Sequence, residues 1–471
     1  MAVPPGSPGW PADSRRVPGR ARGSPAPGQA GGVSVSTTGG LRRAARAALS
    51  DITPLRESPP FRRLFTGLAV SAIGSQVTQA AVPLQVYAIT RSSLDVGLIG
   101  LAALLPLVVF GLYGGAIADA VDRRKLIFLT SLGAMLVSVV LLVQSVLHVD
   151  NVALLFGCVG LQSAFAAVNS PTRGAIVPQL VGRRRLAAAN TLVYGSVQLA
   201  VVVGPLLAGV AIASSGFGAA YAIDVATFSA SLYAAIRLPA LPPTTSPGPA
   251  GVRSVVEGLR FLAVRPIVLM TFLVDIDAML FSMPRALFPA MARQFGGGAH
   301  AAGLLYAATG IGAMVAMGVG GAIARVRHQG RGITIAISVW ALGIVALGLS
   351  PSLWWAVAAL VIAGFADTVS AVYRSTMLQA ATPTSMQGRL QGVYTVVVNG
   401  GARLGDLRAG AMGNALSTET ALVGGGIACF VGLVLLVLRV PAFWRYDARD
   451  VRPPEPPVVV AATTTPAPPG P

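Results

Sequence analysis

Residues 96–118 read VGLIGLAALLPLVVFGLYGGAIA, a stretch of 23 residues without one charged side chain. A helix of about 20 mostly apolar residues is long enough to cross the hydrocarbon of a bilayer. Inside that hydrocarbon a single segment must satisfy its own backbone hydrogen bonds, and a helix is the structure that does so. The stretch therefore predicts a transmembrane helix, and its repetition along the chain decides the fold class.

Eleven more runs of similar length bring the number of predicted spans to twelve. The spans begin near Leu64, Val96, Leu126, Asn151, Ala187, Ala219, Pro266, Ala301, Gly332, Leu353, Leu390 and Ala421. The fifth and sixth spans run together without a charge until Asp224, and the turn signal Ser214-Ser215-Gly216 divides them. We predict an all-α polytopic membrane protein with twelve transmembrane helices in two six-helix bundles.

The composition agrees with this class and excludes several others. Of the 471 residues, 54% are hydrophobic and only 11% are charged, against about 25% charged in a soluble globular domain. The two cysteines and three histidines have no metal-ligand spacing, so we expect no cofactor and no metal. The sequence also contains no metalloprotease, serine-hydrolase or Walker A motif, and an enzyme or an ATP-driven pump is not indicated.

The widest gap between spans divides the chain into six spans plus six. Residues 1–60 contain no apolar signal segment and are predicted to form a disordered, basic cytoplasmic tail. Residues 61–238 form the first predicted bundle, 239–265 a cytoplasmic linker with a short amphipathic helix, and 266–440 the second bundle. Residues 441–471 form a second disordered cytoplasmic tail.

Two short repeats in the same order support an internal duplication. The sequence Gly-Gly-Ala-Ile-Ala at 114–118 recurs at 320–324, which is an offset of 206 residues. Arg173 and the pair Ala208-Gly209 recur as Arg374 and Ala409-Gly410, both at an offset of 201 residues. Parallel repeats of six spans are typical of secondary transporters that bind their substrate between the two halves.

The positions of the basic residues predict the orientation. Alternating the spans puts 30 of the 35 basic residues on the side of the N-terminus, and two, Arg403 and Arg408, inside the eleventh span. The other side receives only Arg91, Arg285 and Arg293. By the positive-inside rule, both termini are expected in the cytoplasm. The net charge of +18 is therefore interpreted as topology and not as a nucleic-acid surface.

One loop carries a family resemblance. Gly115, Asp119, Arg123 and Arg124 match the loop signature between helices two and three of the major facilitator superfamily, while Ala120 and Asp122 depart from it. The form resembles the siderophore-exporter-like branch, and stretches 275–289 and 403–410 are similar to actinobacterial members. The resemblance covers roughly residues 54–444. It implies that Asp119 caps a helix and that Arg123 pairs with an acidic residue across the halves, as a conformational latch. The alternative is that these cations only set topology.

The fifth span resembles the motif of drug and proton antiporters at Gly204, Pro205 and Gly209. A Gly-Pro pair removes one backbone hydrogen bond and allows helices to approach closely. Two interpretations stay open: a kink that seals the pathway, or ordinary helix packing.

Ionisable residues inside the spans are energetically unfavourable in the bilayer. They usually line a transport pathway or pair with another polar group. The candidates for proton coupling or for the cavity are Asp275, Asp277, Asp367, Arg403 and Asp406, with Asp224 as a further intramembrane carboxylate. Asp275 and Asp277 point about 200° apart on a helix, so only one is expected to face the cavity squarely. Structural hydrogen bonding is an equal alternative for both. Arg403 and Asp406 share a helix face and are expected to form an ion pair.

Two further expectations concern one aspartate and four uncharged polar side chains inside the spans. Asp367 is a possible acceptor for the latch arginine. The polar residues Gln76, Gln79, Gln85 and Asn169 either line the cavity or join helices to one another.

The predicted function is proton-coupled efflux of small amphipathic molecules, drug-like or siderophore-like, by alternating access. The alternatives are an importer and a transport-inactive sensor or scaffold of the same fold. The expected partners are a small-molecule substrate, the proton and the lipid bilayer, with no nucleic acid, and the protein is expected to be a monomer. The expected location is the inner, or plasma, membrane.

Overall fold

Helices make up nearly all of the chain that the computed structural model describes, namely residues 52–239, 257, 260, 262–323, 326–382 and 384–447. Side chains are described in these ranges except at 112–120, 183, 322, 384–389, 391–392 and 395–396. The predicted tails and most of the predicted linker lie outside the described residues, and the domain boundaries stay a prediction.

The helices are numbered in chain order. The first half contains α1 (Thr53–Glu57), α2 (Pro59–Thr90), α3 (Ser93–Ala120), α4 (Arg123–Val146), α5 (Val152–Val181) and α6 (Leu186–Ile236). The second half contains α7 (Pro266–Ser282), α8 (Phe288–Gln294), α9 (Gly298–Gly318), α10 (Gly320–Ile323), α11 (Gln329–Gly348), α12 (Leu353–Ala381), α13 (Thr384–Ala415), α14 (Thr418–Arg439) and α15 (Pro441–Trp444).

These helices account for the twelve predicted spans. Nine described segments are long and apolar enough to cross a membrane by length and composition. One of them, α6, has 51 residues, more than twice the about 20 that one helix needs to cross the hydrocarbon, so it contains two spans. Helices α2 and α13, with 32 residues each, are long enough but more polar, and they complete the twelve. The fold is the all-α, polytopic architecture that the sequence predicts.

The predicted division between the fifth and sixth spans is confirmed inside α6. Gly216 has φ 77° and ψ −178°, which is a non-helical conformation within an otherwise continuous helix. A side chain at this positive φ would be strained, whereas glycine adopts it at no steric cost. The chain reverses direction at this glycine.

The seventh span begins at Pro266, as predicted, and is discontinuous. Helix α7 ends at Ser282, Met283 is extended, and a single 3-10 turn from Arg285 to Leu287 leads into α8. Pro284 lies at the break and has no backbone N–H to donate to a helix. Irregular backbone at membrane depth is stable only where it is buried in protein or lines a water-filled cavity.

Helix ends rich in arginine share one face of the molecule, which we call the basic face. Arg124 donates from Nη2 to the carbonyl oxygen of Ile236 at 2.6 Å, and Arg265 donates from Nη1 to that of Ala381 at 3.0 Å. A cation is favourable at the C-terminal end of a helix because of the helix dipole. The turns that join α2 to α3 and α4 to α5 lie on the other side, which we call the opposite face.

Two crossings of small residues join the N-terminal bundle (α2–α6) to the C-terminal bundle (α7–α14) on the opposite-face side. A Cβ added to Gly209 of α6 would lie 2.8 Å from the carbonyl oxygen of Ala299 in α9, and the same helix brings Gly303 against Gly209. In the second crossing, Gly410 of α13 lies against Gly97 of α3. Close backbone approach of this kind requires residues without bulky side chains.

The two crossings are copies of each other. Gly97 and Gly303 are 206 residues apart, the offset of the first sequence repeat, and Gly209 and Gly410 are 201 residues apart, the offset of the second. The duplication seen in the sequence is therefore present as a pair of equivalent contacts between the bundles. Together they hold the opposite face closed.

We predict that Gly209→Leu shifts the protein toward conformations in which the opposite face is open, because the larger side chain excludes the backbone of α9. Spin labels on Val149→Cys and Leu416→Cys, one exposed position on each bundle, measure the separation. The distance distribution should move to longer values. Gly195→Leu in the same helix is the control, since an added Cβ there meets nothing within 4 Å. An unchanged distribution in Gly209→Leu would contradict the closing role.

Candidate functional site

A cavity of about 720 Å³ lies between the two bundles. It is lined mainly by the N-terminal bundle, with Tyr306 of α9 and part of α13 on the other side. Its polar lining includes Ser75, Gln76, Gln79, Gln162, Asn169, Asn190 and Asn399, and its aromatic lining includes Phe165 and Phe228. A pocket of this size with mixed lining suits a small amphipathic molecule.

The cavity is closed toward the opposite face and extends toward the basic face. The glycine crossings at Gly209 and Gly410 join the bundles beyond the end of the cavity that is nearest the opposite face. Toward the basic face its lining reaches Val177 and Asn190, each within about one helical turn of the end of its helix. The described lining therefore runs from the glycine crossings to the helix ends at the basic face.

Among the described residues, four charged side chains line the cavity: Arg173, Arg285, Arg403 and Asp406. Three are cations and one is a carboxylate, so the lining has an excess of positive charge. Two of the cations are absent from the predicted site residues. The sequence contained one signal for Arg173, because its copy Arg374 occupies the repeated position.

The orientation count of the basic residues needs three corrections. Arg285, predicted on the outer side, lines the cavity because the break after Ser282 turns the chain inward. Arg173 and Arg374, counted on the side of the N-terminus, lie inside α5 and α12. Both helices continue past the end of their apolar runs. A count that places every charge beyond a run in a loop therefore assigned these two arginines to the wrong location.

Arg403 and Asp406 both line the cavity. The expected ion pair within 4 Å is absent between these two described side chains, although the charges are near enough to attract each other. The helix α13 that carries them packs on α3, where the backbone of Arg403 lies against Gly100. Both side chains thus face the cavity from the wall where the bundles meet.

A buried ionic cluster lies within the C-terminal bundle. Arg374 of α12 binds Asp275 of α7 at 2.7 Å between Nη1 and Oδ1, with both side chains at most 3% exposed. The Nη2 atom of Arg374 lies 3.8 Å from Oδ1 of Asp367, whose side chain is 39% exposed. One arginine is therefore shared by a buried carboxylate and a partly exposed one. The sequence named both aspartates as candidates but not the arginine that joins them.

Asp275 and Asp277 point to different neighbours, as the helical geometry predicts. Asp275 binds Arg374, whereas Asp277 lies against Gly432 and Cys429 of α14. The expectation that one of them faces the central cavity is not met, because neither belongs to its described lining. The break at Met283 brings Arg285 to the cavity in their place.

Asp224 forms the centre of a polar network in the N-terminal bundle. Its Oδ2 accepts hydrogen bonds from Thr78 of α2 and Ser138 of α4, both at 2.7 Å. Gln162 of α5 donates to the hydroxyl of Ser138 at 3.3 Å. The network joins four helices through side chains that are buried or partly buried, and no cation among the described residues pairs with the carboxylate.

The predicted polar residues divide between the two roles left open. Gln76 and Gln79 line the cavity, and so does Asn169, which also donates to Thr130 of α4 at 2.8 Å. Gln85 joins helices: it exchanges hydrogen bonds with Gln144, and Tyr221 donates to its Oε1 at 2.6 Å.

The loop signature is only partly within the described side chains. The surroundings of Gly115 and the side chain of Asp119 are not among those described. The predicted latch therefore stays a prediction. Arg123 is buried. The residue that caps α4 is Asp122, which accepts a hydrogen bond from the backbone N–H of Arg124 at 2.9 Å. This carboxylate, a departure from the signature, stabilises the first turn of the helix.

The Gly-Pro motif of α6 lies where three helices meet. Gly204 packs on Gln76 of α2, Pro205 lines the cavity, and the carbonyl oxygen of Pro205 lies against Gly303 of α9. The motif is therefore part of the contact between the bundles.

Comparison with known proteins agrees with this architecture. The family model described as transmembrane secretion effector matches residues 49–466. The chain belongs to this family of the major facilitator superfamily. Among curated members, the enterobactin exporter EntS of Citrobacter koseri is 30% identical over 396 residues, which cover 83% of this chain and 94% of that protein. The enterobactin exporter of Escherichia coli O157:H7 is 29% identical over 395 residues, with the same coverage.

Solved structures of the superfamily share the fold. The nucleoside transporter NupG has a TM-score of 0.64 at 12% identity, and the match covers 82% of this chain and 99% of that one. A POT family transporter in complex with 5-aminolevulinic acid has a TM-score of 0.66 at 13% identity, with coverages of 82% and 97%. At these identities the likeness shows the fold alone.

The buried ion pair yields a stability prediction for this family member. Arg374→Gln leaves Asp275 without its cation and should lower the free energy of unfolding by about 3 to 5 kcal/mol, whereas Arg185→Gln breaks an exposed pair with Glu57 and should change it by less than about 1 kcal/mol. Thermal unfolding in detergent checks both. Adding Asp275→Asn to Arg374→Gln should restore much of the loss. Equal effects of the two single variants would contradict the prediction.

Proposed function

We propose that the protein is a secondary active exporter that moves small amphipathic molecules by alternating access and couples their efflux to protons. The observation that carries the proposal is the cavity between two bundles that is closed at one face by a symmetric pair of glycine crossings. Membership of the superfamily and the export function named for the enterobactin exporters support it.

We further propose that the protein lies in the inner membrane with the basic face in the cytoplasm. The arginine-rich helix ends at this face support the assignment by the positive-inside rule. The described state is then inward-facing and can take up its substrate from the cytoplasm. Opening of the glycine crossings, with closure at the basic face, would release the substrate outside.

The ionic cluster around Arg374 is the proposed site of proton coupling. Protonation of Asp275 would remove the charge that binds Arg374 and leave the guanidinium to Asp367, which is partly exposed. Exchange of one arginine between two carboxylates gives a two-state element that a proton can bias. Asp275 lies eight residues before the break in the seventh span, so this switch is close to the part of the chain that reaches the cavity through Arg285.

The latch at the basic face completes the proposed cycle. Gly115, Asp119, Arg123 and Arg124 would hold the cytoplasmic side closed in the outward-facing state. We also propose that the protein acts as a monomer, with no enzymatic activity and no nucleic-acid partner.

Proton movement during transport tests the proposal. Enterobactin added to everted membrane vesicles with an acidic interior should release protons, read by the recovery of a quenched amine dye. Asp275→Asn should abolish the recovery, because the carboxylate that binds and releases the proton is gone. Asp150→Asn, an exposed carboxylate in the loop after α4, is the control and should behave as wild type.

The same vesicles separate the alternatives. If enterobactin accumulates equally after the pH gradient is collapsed with nigericin, proton coupling is wrong. If enterobactin and a panel of drugs are not moved at all, and a deletion strain exports its metabolites as the wild type does, a sensor or scaffold is favoured over a transporter.

A further inference from the structure

The two copies of one repeated arginine are in opposite electrostatic situations. Arg374 has carboxylates on two sides, Asp275 at 2.7 Å and Asp367 at 3.8 Å. Its counterpart Arg173 has no ion-pair or hydrogen-bond partner among the described residues, and its Nε is buried. The difference can be traced in the sequence. Asp367 lies seven residues before Arg374, and the residue seven before Arg173 is Ala166, which also lines the cavity.

The unpaired arginine faces the cavity, where the other charges do not compensate it. Asp406 is the only carboxylate among the described lining residues, and it is accompanied by Arg285 and Arg403. One carboxylate cannot neutralise two nearby cations, so none of its charge is left for Arg173. In a membrane interior such an excess of cations attracts anions strongly, because low-dielectric walls screen charge poorly.

From this asymmetry we propose that the cavity selects solutes that carry a carboxylate or a comparable anionic oxygen group, and that Arg173 binds this group. The inference rests on the proposed transport function of the same cavity. An unpaired guanidinium within a transmembrane helix is unfavourable, and a bound anion supplies the missing partner. Arginine can bind two oxygens of one carboxylate at once, which gives both affinity and orientation.

The remaining lining fits the rest of such a solute. Phe165, Phe228 and Tyr306 offer apolar and aromatic surface, and amide side chains such as Gln162 offer neutral hydrogen bonds. A molecule with an anionic group at one end and an aromatic body would contact both parts. The substrate class is thus narrowed from amphipathic molecules in general to amphipathic anions.

Two dyes that differ in charge test the proposal without any transport. Dansylglycine carries a carboxylate and dansylcadaverine an ammonium group on the same fluorophore. Their binding to the full-length protein in nanodiscs is measured by dansyl fluorescence, after subtraction of empty nanodiscs. Dansylglycine should bind at least about 10-fold more tightly than dansylcadaverine, since a hydrogen-bonded charge pair contributes about 10- to 100-fold in affinity.

The variants assign the preference to one residue. Arg173→Gln should weaken dansylglycine binding about 10- to 100-fold and leave dansylcadaverine unchanged or slightly stronger. Arg173→Lys should give an intermediate affinity, because the charge remains but the two-pronged geometry is lost. Arg63→Gln is the matched control and should not change either affinity. Arg63 is an exposed arginine of the basic face that donates to the backbone carbonyl oxygen of Arg237.

Equal affinities for the two dyes, a preference for dansylcadaverine, no measurable binding of dansylglycine, or an unchanged ratio in Arg173→Gln would each overturn the proposal. The result is separable from the transport proposal. Binding of dansylglycine without proton-driven movement would reject transport and keep the anion preference. Proton-driven export of dansylcadaverine in preference to dansylglycine would keep transport and reject the preference.

Discussion

Backbone contact between the two bundles is the constraint on which the described state depends. Gly209 meets Gly303 and Gly97 meets Gly410 with so little space that an added methyl group would collide with main-chain atoms. In lipid, the hydrophobic effect does not drive helices together, so van der Waals packing at close contacts supplies the attraction. These two crossings join the bundles at the end of the cavity nearest the opposite face. Four glycines therefore set how closely the two bundles approach at this end of the site.

Most of the fold could be predicted from the sequence, because the bilayer fixes the length of a span. The runs near Leu64 and Val96 begin within a few residues of the N-terminal ends of α2 and α3. The boundary at Gly216 was visible in the sequence as a turn signal. The break in the seventh span was not found. Apolar residues continue through Met283 and Pro284, and hydropathy does not distinguish a helix from extended backbone buried in protein.

The site was less predictable, since a charge inside a span indicates importance without naming its partner. The sequence singled out Asp275 and Asp367, but only the packing of α7 on α12 brings them to the same arginine. Arg173 and Arg285 were missed because counting charges beyond apolar runs assumes that each run ends where its helix ends. Gln85 and Asn169 show the same limit: both are intramembrane amides, and their neighbours decide which one reaches the cavity.

The two copies of the repeated arginine differ in their partners: Arg374 is paired with carboxylates and Arg173 is not. This difference separates the stability of the fold from the proposed binding of substrate. After duplication, each half inherited the same cation, yet only the C-terminal copy is tied into its own bundle. If Arg173 binds substrate as proposed, substitutions around it would alter which molecules are recognised while the buried pair Arg374–Asp275 stays intact. Substrate recognition by the first half would then be separate from the interaction that stabilises the second.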